Sequence, residues 1–600
     1  MIFNALVALL VVVVAVIWST KGKGFGLFSA FLACVCVVIA GGIAFAAWEP
    51  LAYFLLRTGG SQQGFVGNLL QSTAWSVGLL GPFLVSLLVL RLAMDSLVGA
   101  NMDFSETANS IGGIAFGAVS GIISVGILVV GTSFLPLPAS LMGYAPIEER
   151  NGSPVYARSL WIPVDAWTIK LYEHLSRHAF ASSTPLARYQ PNAHQAAALS
   201  RVTYKDASRN TILPTEFEVV GSYTVKGPLD QMLTDTFLVD DAGNTKKQQV
   251  TFPDGTQPTG GATLVGYAIR LESGAKEKQG NVIFTPAQLR LLCRNEDGAS
   301  TFVSPIAVIA PPEAAAESLY RFRFDAKESF IASQGGGAEA VFAFEFIVPE
   351  GYTPAALFVK NTRADLTSGS SLASASYDTF RLRDRAIQSG AILSKFGASA
   401  RGSSLTDIDR SASKTVATES NRAEGFEFGA SLPGNKVMNK SNRGSIEVSD
   451  KGEIVGGEHT FPTSVLNERG LDKNLRVERF QTTPDTGIIK LKLSDADERT
   501  MFGRAFETAE GEGLPVLVDD KGAVFEPVGF LYDDGNTVQL RYSPGRALRS
   551  LSEIPQLSRS KRNQTLYVIY RPTVNSKISA FIIGNKQIAT FEPPLNVTPN

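Results

Sequence analysis

Two histidines on one predicted helix form the pair in this chain whose spacing is closest to that of metal ligands. His174 and His178 are four residues apart, so both imidazoles would lie on one helix face and could chelate a metal ion. No third ligand is evident, and Glu173 does not stand where a zinc peptidase motif requires its glutamate. We therefore interpret both as surface histidines and predict no metal and no cofactor.

Nucleophilic catalysis would need a serine or cysteine beside a histidine. The two β-rich parts of the sequence hold a single histidine, His459, and no Gly-x-Ser-x-Gly string. His459 and His194 are expected in polar loops. Cys293 stands alone in a predicted strand, where we expect it to be a small buried apolar residue. The sequence thus predicts no catalytic residue and a protein that is not an enzyme.

Paired aspartates at 519–520 and 533–534 could supply oxygen ligands to calcium. Five or more oxygens must converge on that ion. The glycines beside both pairs suit tight hairpin turns equally well. We favour turns at both places.

The chain that carries these residues begins with four apolar runs, at 2–18, 26–48, 72–94 and 111–135. Each has the length of about 17 to 25 residues that crosses a hydrocarbon core about 30 Å thick. The sequence therefore predicts four transmembrane helices in a membrane domain at 1–145. Basic residues follow the first run instead of preceding it, which is unlike a cleaved signal peptide.

The charge distribution predicts an orientation and excludes some classes of protein. Lys21 and Lys23 follow the first run and Arg57 lies on the opposite side, so the first loop is predicted to be cytoplasmic and the carboxy-terminal part extracytoplasmic. The chain has 55 basic and 56 acidic residues, without the basic excess of a nucleic-acid-binding domain. Three cysteines are too few for a disulfide scaffold.

The fourth run carries Gly113, Gly117 and Gly121 at four-residue spacing. Glycines four apart share a helix face and let two helices approach closely in lipid. We expect this face to pack against helices of the same chain, the alternative being self-association of two copies. No charged residue lies deep in the runs, which argues against transport by the anchor alone. A channel or export component acting through this glycine-lined helix is the alternative function.

These features carry a resemblance to a known family. The basic residue and glycine at Lys23-Gly24, the four spans and the glycine string at 113–121 resemble the colicin V production protein family over about residues 1–145. The resemblance implies a bacterial inner-membrane protein that takes part in toxin production or export or in envelope maintenance, without an assigned catalytic residue. Many members have charged residues where this chain has Asn109, Ser110 and Ser120.

A connector at 146–211 contains a predicted amphipathic helix at about 161–178. Its apolar stripe at helical spacing comprises Val164, Trp167, Leu171 and Leu175. Aromatic rings favour the headgroup depth of a membrane. The predicted interfacial anchors are Trp161, Trp167 and Tyr172, and the alternative is a helix that packs on the soluble part.

Apolar residues alternate with a period of two in two later regions, 212–363 and 457–600, which predicts β-strands. Residues 291–298 and 516–522 both read as a strand followed by an acidic turn with glycine, and the order of strands and turns after them also recurs. The repeat favours two β-sandwich modules of immunoglobulin-like type. The alternative is one composite sandwich split by an insertion.

Residues 364–456, between these regions, are rich in serine, glycine and alanine. Such a segment buries little apolar area to offset its conformational entropy. We predict a flexible low-complexity linker with one short helix near 381–396.

Together these features predict a non-enzymatic inner-membrane protein whose tandem β modules bind an unknown envelope or export protein outside the cytoplasm. Its other predicted partners are the lipid bilayer and, through helix four, a second copy of the chain; no nucleic acid is expected. The alternatives are the channel or export component and a membrane-anchored extracytoplasmic hydrolase.

Overall fold

A computed structural model shows how the apolar helices, the connector and the β regions are arranged. It describes residues 2–19, 26–61, 64–98, 102, 104–182, 184–203, 209–227, 229, 251–277, 280–311, 318–324, 330–332, 337, 339–366, 372–396, 408–418, 423–466, 471–494, 500–508, 513–545, 547–548, 550–558, 561 and 563–599. Lys21, Lys23 and Gly24, on which the predicted orientation and part of the family resemblance depend, lie outside the described residues.

The amino-terminal part is helical and anchors the protein in a membrane. Its helices are α1 Ile2–Ser19, α2 Leu27–Ser61, α3 Gly64–Leu97 and α4 Glu106–Ser133. Among the described residues, α2, α3 and α4 provide three helices long and apolar enough to cross a membrane. The first predicted span is also a helix, but its apolar part, Ile2–Trp18, is shorter than those three.

The second and third helices extend well beyond their predicted apolar runs. α2 has 35 residues and α3 has 34, which at 1.5 Å per residue is about 50 Å, against a hydrocarbon core of about 30 Å. The predicted run ended at Trp48, whereas the apolar span of α2 continues through Glu49 to Gly60. The part of α2 from Glu49 onward contacts the first β region described below.

The glycines of α4 pack against α1 of the same chain. A Cβ atom added at Gly117 would lie 3.0 Å from Ala15 Cα, and one added at Gly121 would lie 3.2 Å from the Val11 carbonyl oxygen. Gly113 on the same helix is also buried. The glycine face therefore contacts protein in this chain, because only residues without a side chain leave room for α1.

The connector adds a helix that lies across the membrane helices. It comprises the hairpin β1 Ile147–Arg150 and β2 Ser153–Tyr156 and the helices α5 Val164–Arg177, α6 Leu186–Tyr189 and α7 Ala193–Ser200. The Thr168 hydroxyl of α5 donates to the Ile122 carbonyl of α4 at 3.3 Å, and the Tyr172 hydroxyl donates to the Val38 carbonyl of α2 at 3.1 Å.

The buried stripe of α5 differs from the predicted one. Its buried residues are Val164, Asp165, Thr168, Ile169, Tyr172 and Ser176. Trp161 and Trp167 are 61 % and 51 % exposed, whereas the Tyr172 ring, predicted at headgroup depth with them, is enclosed between helices. The reason is that α5 packs on glycines such as Gly126, where a small threonine fits and a tryptophan does not.

The first β region contains two sheets around one core. Its strands are β3 Phe217–Val225, β4 Thr263–Glu272, β5 Val282–Phe284, β6 Leu289–Asn295, β7 Ser300–Val303, β8 Ala307–Ala310, β9 Tyr320–Arg323, β10 Phe330–Ala332, β11 Glu339–Val348, β12 Tyr352–Val359, β13 Thr362–Asp365 and β14 Ser374–Tyr377. One sheet has the order β14-β3-β4-β11-β8-β9 and the other β13-β12-β6-β7. Inward residues of both sheets, such as Phe344 and Leu291, share the core.

Residues 364–456, predicted as a flexible linker, contain ordered elements. Helices α8 Phe380–Gln388 and α9 Ala391–Ser394 follow β14, near the short helix expected there. Ile387 and Leu393 cover the outer face of the first sheet. The serine- and glycine-rich composition of this segment wrongly suggests a flexible linker, because a few apolar residues at helical spacing suffice to bury this face of the sheet.

A buried ion cluster also fixes α8 to the first sheet. Arg321 Nε lies 2.5 Å from Glu345, Arg383 of α8 pairs with the same carboxylate, and the Tyr223 hydroxyl donates to it at 3.0 Å. Burial by itself would raise the pKa of Glu345, but the guanidinium groups of Arg383 and Arg321 hold this pKa at about 2. The charge is stable in the interior because it is paired and hydrogen-bonded.

The second β region repeats this construction. Its elements are β15 Lys414–Ala417, β16 Phe426–Phe428, β17 Met438–Asn439, β18 Glu447–Val448, β19 Glu453–Pro462, β20 Arg476–Val477, β21 Arg479–Phe480, β22 Ile489–Ser494, α10 Met501–Thr508, β23 Pro515–Asp519, β24 Val524–Phe525, β25 Pro527–Asp533, β26 Thr537–Tyr542, β27 Thr565–Tyr570, β28 Lys577–Ile583 and β29 Lys586–Asn596. One sheet has the order β15-β29-β28-β23-β24, and the other β16-β22-β27-β25-β26-β19-β18.

The two regions share one strand order. The path β3-β4-β11-β8-β9 corresponds to β16-β22-β27-β25-β26, and β13-β12-β6-β7 corresponds to β29-β28-β23-β24. The register agrees as well, since Leu291 opposes Leu357 in the first region as Leu517 opposes Phe581 in the second. The recurring sequence order therefore reflects equivalent places in two sheets, and it is not a coincidence of turn composition.

Candidate functional site

The candidate site lies on the outer face of the sheet β13-β12-β6-β7. Successive residues of β6 point to opposite faces, so Leu291 enters the core while Arg290 and Arg294 face outward. Phe358 of β12 opposes Arg290 on one side and Arg363 of β13 on the other. Arg290, Arg294 and Arg363 therefore share one surface, the arginine face.

Arg363 binds α2 at Glu49, the first charged residue of that helix. The Arg363 Nε donates to Glu49 Oε1 at 3.1 Å, and its backbone N–H donates to the Tyr53 hydroxyl at 3.2 Å. Tyr53 donates in turn to Glu49 at 3.0 Å. Both charged side chains are 9 % exposed. The three groups form a closed hydrogen-bonded set that joins a membrane helix to the first β region.

A second carboxylate, Asp365, also pairs with Arg363. Burial by itself would lower the pKa of Arg363, but Glu49 and Asp365 hold it above the ordinary value for a guanidinium. Arg363 is thus a permanent cation, and removing its buried partner Glu49 would leave this charge poorly compensated.

Tyr189, at the end of α6, contacts several guanidinium groups. The Cζ atom of Arg363 lies 4.2 Å from the ring centroid, that of Arg294 5.9 Å and that of Arg188 5.7 Å. These distances suit cation–π attraction. Arg294 also donates to the Arg188 carbonyl, so the connector helix is held against the arginine face. Burial and the neighbouring Arg188 lower the pKa of Arg294.

Arg290 is the most enclosed member of the face. It lies 5.3 Å and 5.8 Å from the rings of Phe302 and Phe358, and its Nη2 donates to Asn361 Oδ1 at 3.0 Å. Burial lowers its pKa to about 10, so it stays charged at neutral pH. Among the described residues, its Nε and Nη1 have no hydrogen-bond partner.

Further hydrogen bonds fix the connector between the anchor and the first β region. Asn210 Nδ2 donates to the Phe134 carbonyl just after α4 at 3.2 Å. The Thr362 hydroxyl donates to the Ile212 carbonyl at 2.6 Å. Arg201 donates to the Pro138 carbonyl. These bonds connect the membrane helices to the first β region.

A separate polar cluster lies beneath the β1–β2 hairpin. The Tyr156 hydroxyl donates to Asp165 Oδ2 at 2.9 Å and lies 3.1 Å from the Tyr144 hydroxyl. His194, expected in a polar loop, is instead buried on α7 with its ring 5.3 Å from that of Tyr156. Burial lowers the pKa of His194, and Asp165 opposes this shift. Without a nucleophile in these contacts, the cluster holds α5, α7 and the hairpin together.

The residues first considered for chemistry do not form a site with one another. The rings of His174 and His178 are 4.8 Å apart, and among the described residues no group of three or more possible ligands could hold a metal ion. Cys293 is enclosed in the core, where burial raises the pKa of its thiol to about 12. A thiol in that state is a poor nucleophile at neutral pH.

His459 lies on β19 instead of in a loop, and its Nδ1 is 3.1 Å from the Ser445 hydroxyl. That hydroxyl also donates to the Glu458 carbonyl. In the described part of the chain no carboxylate orients this imidazole, and the pair is exposed. The pair therefore lacks the third group of a catalytic triad.

The acidic turns are satisfied by their own backbone. Asp519 Oδ1 accepts from the N–H groups of Lys521 and Ala523. Asp534 Oδ1 accepts from the N–H groups of Asn536 and Thr537. Each carboxylate thus stabilises a turn, as aspartate side chains commonly do.

Sequence reasoning missed the residues that form the arginine face and its partners. A signal for Glu49 exists, because it is an isolated carboxylate directly after an apolar run. Arg290 and Arg294 are also visible as outward positions of an alternating strand. No local pattern identifies Arg363 as the partner of Glu49, since 314 residues separate them.

Comparison with known proteins finds no similar chain. No family model matches it, and no curated protein and no solved structure shows significant similarity.

Proposed function

We propose that this is a non-enzymatic bacterial inner-membrane protein that holds two immunoglobulin-like β modules outside the cytoplasm to bind an envelope or export partner. The observation that carries the proposal is the buried contact of Glu49 and Tyr53 with Arg363. It fixes the first β region on the membrane helix, which is what a scaffold that presents a binding surface at a membrane requires.

The strand orders support the immunoglobulin-like part of the proposal. In that fold, strands A, B, E and D form one sheet and C, F and G the other. β3, β4, β11 and β8 have the first arrangement, and β6, β12 and β13 have the second. Modules of this architecture commonly serve as binding domains, although the architecture alone does not identify a partner.

Close packing of the two β regions supports a rigid presentation. A Cβ atom added at Gly280 would lie 2.8 Å from the Pro544 carbonyl oxygen. Nearby, Ser273 of the first region hydrogen-bonds Glu526 of the second. A partner that binds the second region would therefore be held at a defined place relative to the anchor.

Photo-crosslinking in intact bacteria would test the proposal. A photoreactive residue is placed at exposed positions of the second region, Lys414, Glu447 and Thr537, and at lipid-facing Leu88 of α3 as the matched control. We expect the same protein to be captured from more than one β-region position and not from Leu88. Capture of no protein from any β-region position would contradict partner binding.

The orientation needs its own test. An alkaline phosphatase fused after residue 600 should be active if the β regions are extracytoplasmic, whereas a cytoplasm-dependent reporter at the same place should be silent. The opposite pair of results would place both β regions in the cytoplasm.

A further inference from the structure

The arginine face and its neighbour Arg188 hold more positive than negative charge at the edge of the membrane domain. We propose that this cluster binds a phosphate group at headgroup depth, the occupant being the headgroup of an anionic phospholipid. The inference is independent of the partner-binding role, since it concerns only the junction of the anchor with the first β region.

The depth of the cluster follows from its contact with α2. Glu49 is the first charged residue of that helix, and Arg363 binds Glu49 at 3.1 Å. Tyr189 stacks on Arg363 at 4.2 Å and lies 5.9 Å from Arg294. Because charged side chains on a membrane helix favour the interface over the hydrocarbon core, the position of Glu49 indicates that the cluster lies near the lipid headgroups.

The charges of the cluster do not balance. Glu49 and Asp365 both pair with Arg363. In the described contacts, Arg188, Arg290 and Arg294 have no carboxylate partner. The cluster thus holds four guanidinium groups and two carboxylates, an excess of two positive charges, and Asp365 also acts electrostatically on Arg294.

An unused hydrogen-bond donor of Arg294 points to an acceptor that the protein does not supply, and two more on the enclosed Arg290 leave its charge uncompensated. Within the described residues, the Nε atoms of Arg290 and Arg294 and the Nη1 atom of Arg290 are buried without a partner. Buried donors are rarely left unpaired. A guanidinium group matches the geometry of phosphate oxygens and can bind two of them at once.

Exposure indicates how a phosphate would reach the cluster. Arg188 is exposed and Arg294 is half-buried, whereas Arg290 is enclosed behind them. Arg188 and Arg294 would therefore contact the phosphate directly, and Arg290 would add fixed positive potential from an interior where charge is weakly screened. Anionic lipids attract membrane-proximal arginines by this electrostatic route.

Phosphatidylglycerol provides the test. The full-length protein is placed in nanodiscs of phosphatidylcholine alone or with phosphatidylglycerol, and thermal stability and lipid retained in native mass spectrometry are measured. We expect phosphatidylglycerol to stabilise the wild type and to be retained by it. Replacing Arg188 and Arg294 by glutamine should weaken this effect about fivefold per arginine, the change expected for one basic residue near an anionic surface.

The matched control replaces Arg381 and Arg385 by glutamine. Both are exposed on α8, which covers the other sheet on the opposite side of the same β region. This variant should keep the wild-type response to phosphatidylglycerol. Equal loss in both variants would overturn the site, because only bulk charge would then matter.

A titration of the wild-type protein with inorganic phosphate gives a second test that does not depend on the folding of any variant. Inorganic phosphate added to the protein in phosphatidylcholine nanodiscs should have little effect if the occupant is a lipid. Stabilisation by inorganic phosphate without stabilisation by phosphatidylglycerol would overturn the lipid as the source. No effect of either anion would overturn the phosphate site itself.

Discussion

Glu49 and Arg363 lie 314 residues apart in the chain, yet the Glu49 Oε1 and Arg363 Nε atoms are 3.1 Å apart and both side chains are nearly enclosed. One residue belongs to a membrane helix and the other to the last strand of a sheet in the first β region. The pair therefore couples the position of the first β region to that of the anchor.

Removing one member of this pair should destabilise the junction. We expect Glu49→Gln to cost about 3 kcal/mol, because it leaves a buried guanidinium with less compensation. Thermal unfolding in nanodiscs and hydrogen exchange of β13 are the measurements. The control is Asp95→Asn, since Asp95 pairs with Arg91 in a largely exposed i,i+4 arrangement and should contribute about 0.5 kcal/mol or less. Equal effects of both changes would show that the junction does not depend on the pair.

Gly117→Leu should separate α1 from α4. A Cβ atom at this position already lies 3.0 Å from the backbone of Ala15 and 3.1 Å from Trp18, so a leucine cannot fit without movement of α1. Val119→Leu is the control, because Val119 is 44 % exposed to the lipid side. Protease resistance of the anchor in membranes should fall for the first change only. The close-packing role would be lost if both changes were tolerated.

Leu291→Ala and Leu517→Ala should each destabilise their own β region. Both side chains are fully buried at equivalent places in β6 and β23, and truncation of a buried leucine costs about 2 to 5 kcal/mol. Hydrogen exchange resolved by peptide would locate the effect. Leu475→Ala, at a position that is 40 % exposed, should change little. Loss of protection that is unrelated to the region mutated would contradict two separate cores.

Glu272→Gln should make the stability less dependent on pH. Burial, the opposing Glu339 and the nearby Glu526 raise the pKa of Glu272 from 4.5 to about 7. A carboxyl with a raised pKa contributes stability that is fully present below pH 4.5 and is lost as the pH rises through about 7. We expect the wild-type thermal midpoint to fall over this interval, and the variant to fall less. The control, Glu447→Gln at an exposed position, should show the same pH dependence of the thermal midpoint as the wild type. An equally reduced pH dependence in this control would refute the role of Glu272.

Cys293 should resist alkylation in the folded protein. Burial raises the pKa of its thiol to about 12, so the reactive thiolate is scarce at neutral pH. In a background with Cys34→Ala and Cys36→Ala, maleimide should label the native protein slowly and the unfolded protein rapidly. Rapid labelling of the native state would show that this cysteine is accessible and would reopen a role as a nucleophile.

Much of the architecture could be predicted from local patterns. Long apolar runs have few alternatives to membrane helices, and period-two alternation with glycine turns predicted strands in both β regions. The repeated order of turns around Gly298 and Gly522 also corresponds to equivalent strands in the structure. These features depend on neighbouring residues, so the sequence carries them directly.

The segment 364–456 shows where composition fails. Its many small polar residues predict a linker, but Ile387 and Leu393 bury against the sheet β14-β3-β4-β11-β8-β9. The predicted buried face of α5 is wrong for a similar reason. Gly126 on its partner surface leaves room for Thr168, so Thr168 is buried there and the predicted Trp167 is not. In both cases the partner surface decides which face is buried.

The sequence by itself therefore determined that the chain has a membrane anchor, β-rich regions and a glycine face on its fourth helix. Only the tertiary structure decided that Arg363 meets Glu49, that Tyr189 lies against several guanidinium groups and that Arg290 is enclosed without a carboxylate. The physical reason is that hydrophobic periodicity is encoded over a few residues. Charge pairing in the interior depends instead on which distant strands and helices come together, and no local pattern specifies that.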